Sequence, residues 1–351
     1  MPTRIQEMLG LELPIIQAPM AGVQVGKLTL AISNAGGLGS LPCAMLSLDQ
    51  IRAELESIAV GTGKPYNVNF FCHEPPRHDA ARESLWHDAL APYYAEHGLD
   101  IDDQPAAEDR APFGPEALGI LQEFKPPVVS FHFGLPADEL FAGVKAMGSK
   151  ILCSATTVEE ARWLESRGVD AIIAQGVEAG GHRGMFLTDD ITTQLGTFAL
   201  LPQIVAAVEI PVIAAGGIAS ADGVAAALGL GADAVQIGTA FLLCDEATTS
   251  PLHREALKGP QAAHTALTNR FSGRPARGIV NRIMRELGPI GDDVVPFPLA
   301  SKAMAPLRQA AEAKGLTDFT SLWSGQNASG CREIPAADML RALAANSGSP
   351  E

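Results

Sequence analysis

The sequence predicts an α/β fold: a (β/α)8 TIM barrel with a long insert after its third strand and a C-terminal helical extension. Three observations predict it. Eight short apolar runs alternate with segments of helical period, and each run is apolar throughout, as in parallel strands covered on both faces. The joint Gly168-Val-Asp-Ala-Ile-Ile recurs as Gly231-Ala-Asp-Ala-Val-Gln, with a helix-ending glycine, an aspartate and a buried strand in the same order. The 351 residues hold one barrel of about 250 residues and about 100 more, but not two barrels. A doubly wound open sheet would share the alternation and stands as the competing architecture.

In chain order, the strands are expected at Pro14–Ala18, Gly37–Leu41, Tyr66–Phe71, Val128–His132, Lys150–Ser154, Ala171–Gln175, Pro211–Ala215 and Ala234–Gly238. Helical patterns fill most of the gaps. One runs over Val158–Arg167, with Thr157 as N-cap and Gly168 as stop. The polar, Pro- and His-rich stretch 72–127 interrupts the rhythm after the third strand. It leaves from the catalytic face of a barrel, either as a lid or substrate wall or as a solvated decoration. The barrel is expected over 1–245. Residues 246–351 form the extension, read as helices and loops including Met304–Lys314, and the tail Asn346–Glu351 is expected to be disordered.

Charge and composition exclude several function classes. The formal net charge is −15, and no dense Lys/Arg run is present. Nucleic acid and anionic membranes both call for a basic face, so neither is an expected partner. No stretch of 18 apolar residues runs free of glycine or charge, and Met1–Gly10 lacks a signal-peptide pattern. The five widely spaced cysteines make no CxxC pair, which fits free thiols in a reducing, cytoplasmic compartment. Cys72, His73, His78, His87 and His97 match no compact zinc spacing, and there is no HExxH, so no metal is expected. A GxSxG nucleophile turn is also absent.

The chemistry gathers at strand ends. Ala214-Ala-Gly216-Gly217-Ile218 and Gln236-Ile237-Gly238-Thr239-Ala-Phe241 follow the seventh and eighth strands. Loops there commonly bind phosphate, because glycines let backbone N–H groups approach it. The alternative is that these glycines only permit tight turns. No GxGxxG follows an early strand, which disfavours a Rossmann site. After the sixth strand, Gln175-Gly-Val-Glu-Ala-Gly180-Gly-His182-Arg-Gly184 reads as a flexible loop carrying one histidine. Histidine suits proton transfer near neutral pH, so His182 is the catalytic candidate; a surface histidine in a mobile loop is the bland reading. His132 ends the fourth strand as either a substrate contact or a hydrogen-bonded core residue. The amides of Asn69 and Gln175 suit the polar edge of a flavin ring, or else satisfy loop backbone. Ala18, Pro19 and Met20 follow the first strand, where a flat ring could lie.

On these residues the chain resembles the class I nitronate monooxygenases, formerly called 2-nitropropane dioxygenases. The likeness runs from Gln17-Ala-Pro-Met20, Asn34-Ala-Gly-Gly-Leu-Gly39 and Asn67-Val-Asn-Phe-Phe71 through Ser130-Phe-His-Phe-Gly134 and Gln175–Arg183. It continues through Ala215-Gly-Gly-Ile218, Gln236–Thr239, Ser272-Gly-Arg-Pro-Ala-Arg277 and Leu322-Trp-Ser-Gly-Gln326. The resemblance implies noncovalent FMN, with Asn69, Gln175, Gly180, Gly217, Gln236, Ile237, Gly238 and Thr239 at flavin-contacting positions. Gly216 and Ala18–Met20 are expected to complete the cradle. It implies His182 as the active-site histidine and oxidation of alkyl nitronates by O2 to a carbonyl compound and nitrite, with propionate 3-nitronate as the suggested substrate. Phe297-Pro-Leu-Ala-Ser-Lys302 lacks the tyrosines that family members often carry near substrate, and Lys302 there either pairs with an anionic substrate or is simply solvated, the second reading being favoured. Two alternatives stay open: an FMN-dependent NAD(P)H reductase acting on enoyl-acyl carrier protein or quinone, and a non-redox sugar-phosphate enzyme. A homodimer is compatible with the sequence.

Overall fold

Eight parallel strands close into a ring in the computed structural model, which describes residues 1–77, 79–101 and 111–346. They are β1 (Ile15–Gln17), β2 (Gly39–Pro42), β3 (Tyr66–Phe71), β4 (Val128–His132), β5 (Lys150–Ala155), β6 (Ala171–Gln175), β7 (Val212–Ala215) and β8 (Ala234–Ile237). From β2 to β8 each pairs in parallel with its sequence neighbour, and β1 pairs with β8. A parallel bridge between Ile16 and Leu38 joins β1 to the segment entering β2 and shuts the ring. All eight expected strands are present, and the barrel rather than the open sheet is the fold.

Register sets the height of the functional side chains. Asn69 lies opposite Ser130, Gln175 opposite Ala215, and Ala215 opposite Gln236. All five of these residues line the C-terminal mouth of the barrel. Below them the barrel is filled by Ile16, Leu38, Leu152, Ile173 and Ile213, and the N-terminal helix Arg4–Leu9 contributes Ile5 and Leu9 to the same core. A polar layer interrupts this filling. Asn67 Nδ2 donates to Ser40 Oγ (3.0 Å) and Ser130 Oγ (2.9 Å). On the same strand Val68 and Phe70 face the outer core, as the two-residue period requires.

Helices follow the strands in the order a (β/α)8 barrel demands. They are Gly26–Asn34, Leu48–Gly61, Pro115–Phe124, Asp138–Ala146, Val158–Ser166, Thr197–Val205, Ala221–Gly229 and, at the far end of the chain, Ala336–Ala344. Thr157 caps Val158–Ser166 by accepting from Glu160 N, and Gly168 follows with φ +83°. The last helix packs against Gly26–Asn34 and Ala221–Gly229 and buries Met339, Leu340 and Leu343 in the main core. It occupies the place of the eighth outer helix. Likewise Pro115–Phe124, inside the stretch read as insert, buries Ile120 and Leu121 in the same core and serves as the third outer helix.

The extension departs from the expected helices and loops. It contains the Ala300–Glu312 helix, but also strands Thr265–Thr268 and Ala276–Ile279, which form an antiparallel sheet with Gly181–His182. These strands are four residues or shorter, and their pairing partner is a glycine-rich loop elsewhere in the chain, so no local period announces them. The insert helix Ala80–His97 packs Trp86, Leu90 and Tyr94 into a second core with Ala300, Met304 and Leu307. The Tyr94 hydroxyl donates to Ala303 O at 2.6 Å. Of the expected tail Asn346–Glu351, Asn346 is placed, its Nδ2 donating to Asp222 Oδ1 at 2.7 Å, while Ser347–Glu351 and His78 lie outside the described residues.

If the terminal helix completes the barrel, Leu340→Ala will lower the unfolding free energy by about 2–5 kcal/mol, as buried leucine truncations do. Urea denaturation measures this; a change under about 0.5 kcal/mol, the size of a surface effect, would make the helix peripheral.

Candidate active site

A cavity of about 530 Å³ opens at the C-terminal mouth, within the size range of small-ligand sites. The ends of β1 and β3–β8 line it from below, and the extension covers it with Ser272, Met304, Arg308, Trp323 and Gly325. Among the described residues of the insert, none lines it. The insert instead supports the Ala300–Glu312 helix, which does. The described part of the insert thus backs the roof of the cavity rather than lining it.

One end is glycine and backbone. Gly216 and Gly217 follow β7 with φ +119° and +75°, a conformation that other residues rarely adopt. After β8, Gly238 leads into a short 3-10 turn, Thr239–Phe241, whose first N–H groups lack partners within the turn. A strap from the extension crosses both loops. Gly325 N donates to Thr239 Oγ1 (2.9 Å), Gln326 N to Glu178 O (2.9 Å) and Asn327 Nδ2 to Gly217 O (3.1 Å). The strap lies so close that a Cβ on Gly180 would stand 2.5 Å from Gly325 N. No Lys or Arg lines this end, so an anion there would rest on backbone N–H groups.

The floor carries Ala18, Pro19, Met20, Asn69 and Gln236. Gln236 Oε1 is buried without a hydrogen-bond partner, which is costly unless a ligand supplies a donor. Asn69 Nδ2 is committed to Ser130 Oγ (2.9 Å). Gln175 spends both ends of its amide on the loop: Nε2 donates to His182 O (2.9 Å) and Oε1 accepts from Gly184 N (2.7 Å). Of its two expected roles, the structure shows the backbone one.

That loop was expected to be flexible, and it is pinned. Gly181–His182 pairs with Ala276 and Arg277 as a strand. Arg183 is fully buried and donates to Gly176 O (2.7 Å), Gln175 O (2.6 Å) and Gln194 Oε1 (2.9 Å). Burial, with Arg277 close by, lowers its pKa to about 10, so it remains cationic at neutral pH. Arg277 adds a bond from Nε to Val177 O (2.8 Å).

His182 stands half-buried at the centre. Its Nε2 lies 2.8 Å from Ser272 Oγ, and that hydroxyl is placed to donate to Arg274 O at 3.3 Å. A hydroxyl has one proton, so with that bond made, the Ser272 oxygen accepts from Nε2–H. Phe297, Trp323, Phe133 and Phe71 surround the ring at centroid distances of 5.3–6.1 Å. His132 also borders the cavity, but both its nitrogens are engaged: Nε2 meets His182 O (3.2 Å) and Nδ1 meets Ser154 Oγ (2.9 Å). A carbonyl can only accept, so Nε2 carries the proton and Nδ1 accepts from serine. Burial pulls its pKa down to about 4; the bond to His182 O opposes this, and Arg274 and Arg183 reinforce it. His132 is therefore a neutral brace for the His182 backbone.

All expected site residues line this one cavity except Lys302. Successive helix positions turn by about 100°, so Ser301, Met304, Ala305 and Arg308 face inward while Lys302 is exposed. The sequence reading missed Ser272, Trp323, Arg308 and the strap residues as site components. Their motifs were visible, but only tertiary pairing brings them to His182.

Residues 3–346 match the family described as nitronate monooxygenase. The chain is 45% identical to a nitronate monooxygenase of Pseudomonas aeruginosa over 349 residues, 98% of each chain. The chain belongs to the nitronate monooxygenase family. Its structure is similar to a nitroalkane oxidase from Streptomyces ansochromogenes, at TM-score 0.88 and 41% identity over 97% of each chain. It is similar to FabK from Thermotoga maritima at TM-score 0.75 and 28% identity, over 99% of this chain and 96% of that one. This member of the nitronate monooxygenase family thus keeps the barrel and cap together across its length.

Two outcomes follow from the pinned loop. His253 supports Trp323 through Nε2–H to Trp323 O (3.1 Å), and burial lowers its pKa to about 4 as well, against the effect of that bond. An unfolded histidine titrates near about 6.5. The unfolded state therefore binds more protons between pH 6.5 and 4. Stability is full above this window and falls as pH drops through it. Unfolding at pH 5 will take up about one proton per braced histidine, and His253→Gln will flatten the fall in Tm between pH 7 and 5; parallel wild-type and variant profiles would refute the shift. Gly180→Ala will drive the strap off the loop, raising proteolysis of the 322–328 region; unchanged cleavage would show that the close approach is tolerated.

Proposed function

We propose that this protein oxidises alkyl nitronates to a carbonyl compound and nitrite with FMN and O2. The supporting observation is the fixed His182 imidazole, enclosed by aromatic rings in the same cavity as a glycine-built, cation-free cradle. FMN fits the residues present. Gly216, Gly217, Gly238 and Thr239 would hold its phosphate by backbone N–H groups, with Gly180 and Ile237 beside them. Gln236 Oε1, otherwise orphaned, and Asn69 would meet the polar edge of its ring over Ala18–Met20. When bound, FMN would supply the redox chemistry between the nitronate and O2.

The side chains of this chain then have defined tasks. Ser272 holds Nε2 of His182, so the exchangeable proton is the one on Nδ1. The protonated ring donates it toward the nitronate oxygens, where negative charge is spread. The neutral ring offers the Nδ1 lone pair as base for the α-proton of a nitroalkane. The aromatic walls keep water from competing, which strengthens a single hydrogen bond.

His182→Asn retains polarity but removes proton transfer. It will lower kcat/KM for a nitronate by about 100-fold or more and will abolish turnover of the neutral nitroalkane. Undiminished turnover of both would remove the assigned role. Anaerobic bleaching of the flavin by nitronate is expected, with NAD(P)H inert; the reverse result would favour a reductase.

A further inference from the structure

The turn that follows β4 is strained. Phe133 sits there with φ +69°, and Gly134 after it with φ +86°. A bulky residue rarely adopts this conformation. Among the described residues only Lys125 shares it without being glycine, and Lys125 is exposed at a helix end. Phe133 is buried. Its ring centroid lies 4.6 Å from that of His132, 4.8 Å from Phe71, 5.5 Å from Phe297 and 5.9 Å from His182. Over the ring, 4.2 Å from its centroid, lies the guanidinium of Arg274. Its Nη2 donates to Met185 O, while Nε is buried and has no hydrogen-bond partner among the described residues. A buried donor left unmade is costly, so the stack on Phe133, and not the full set of its donors, sets where the guanidinium lies. The backbone of Arg274 reaches the same imidazole by a second route. Its O is the acceptor for Ser272 Oγ (3.3 Å), which meets His182 Nε2 at 2.8 Å.

We infer that Phe133 and Arg274 form a positioning pair that holds the His182 imidazole in one rotation and one tautomer. This rests on the proposed nitronate chemistry and deepens it. Neither residue lines the cavity, so both act through His182. An imidazole that turns about its Cβ–Cγ bond carries Nδ1 away from the reacting atoms. The Phe133 ring blocks that turn, and Ser272, aimed by Arg274 O, retains Nε2–H. The two effects are linked. Arg274 fixes the Phe133 ring by the cation–π stack, and the ring anchors the segment 272–274 by holding the guanidinium. A phenylalanine therefore occupies a left-handed position that glycine would fill more easily, because glycine would relieve the backbone and lose the stack. The charge of Arg274 also joins burial in keeping His132, the brace of the His182 backbone, neutral.

The test uses the FMN-loaded protein with ethyl nitronate as substrate, in Phe133→Leu, Arg274→Met and the double variant. Each single variant will lower kcat about tenfold or more, as misplacement of a reacting group does, while KM stays within about threefold. The double variant will lose little more than the worse single one, because either change alone breaks the pair. Arg274→Lys keeps a cation over the ring and will recover part of the loss. Losses that multiply in the double variant, or wild-type kcat in either single one, overturn the inference. Histidine nitrogen NMR, at a pH where the ring is neutral, reads the pair without turnover. In wild type the His182 signal, identified by its absence in His182→Asn, will report one tautomer with the proton on Nε2. In Phe133→Leu and Arg274→Met it will average two tautomers. A mixture in wild type, or a single tautomer kept in both variants, refutes the pair. Tautomer averaging in the variants of a protein that oxidises no nitronate would uphold the pair and refute the proposed function.

Discussion

The site depends on the immobilisation of one glycine-rich loop. A segment with glycines at 176, 180, 181 and 184 has high backbone freedom in isolation. Here several of its carbonyls are claimed. Arg183 takes two, Arg277 a third, and the amide of Gln175 and the imidazole of His132 share that of His182. A buried guanidinium is costly unless its donors are satisfied, so Arg183 makes any loosened loop unfavourable. The position of the His182 ring follows from this backbone, and Ser272 then fixes its rotation.

The barrel was legible because its signals are local. Apolar runs bounded by glycine read as buried strands, and Thr157 with Gly168 marked one helix at both ends. The phosphate-type loops were legible too, because their position after β7 and β8 follows from strand order. His132 shows where legibility stopped. Its place at a strand end was visible, but its neutrality comes from complete burial, and its bracing role from Ser154, on the next strand, and a carbonyl 50 residues away. Lys302 and Arg308 make the same point within one helix. Both are cations, and only the rotation of the helix, set by Trp86 and Tyr94 of a distant segment, decides which one enters the cavity.

Insert and extension work as one body. Trp86 and Leu90 press against Ala300 and Met304 in a core separate from that of the barrel. The Ala300–Glu312 helix thereby becomes the roof of the cavity while its own backing is dry. Arg270 holds Asp293 through both carboxylate oxygens at 2.7 and 2.8 Å and stacks over Trp86 at 5.9 Å, tying the rear of this roof together. Loops on the barrel and loops on the cap thus share a cavity without sharing a core, so side chains in the roof can vary without disturbing the staves below.

The eighth outer helix is made of residues 336–344, about a hundred residues after β8. A ribosome releases these residues after every other element of the barrel. Until then the apolar groove between Gly26–Asn34 and Ala221–Gly229 has no cover, however complete the inner ring of strands. The cap segments therefore emerge over an unfinished cylinder, and the barrel is sealed by the last of its outer helices to be synthesised. Fragments cut short by premature termination would carry that groove open, a ready mark for the chaperones and proteases that survey nascent proteins.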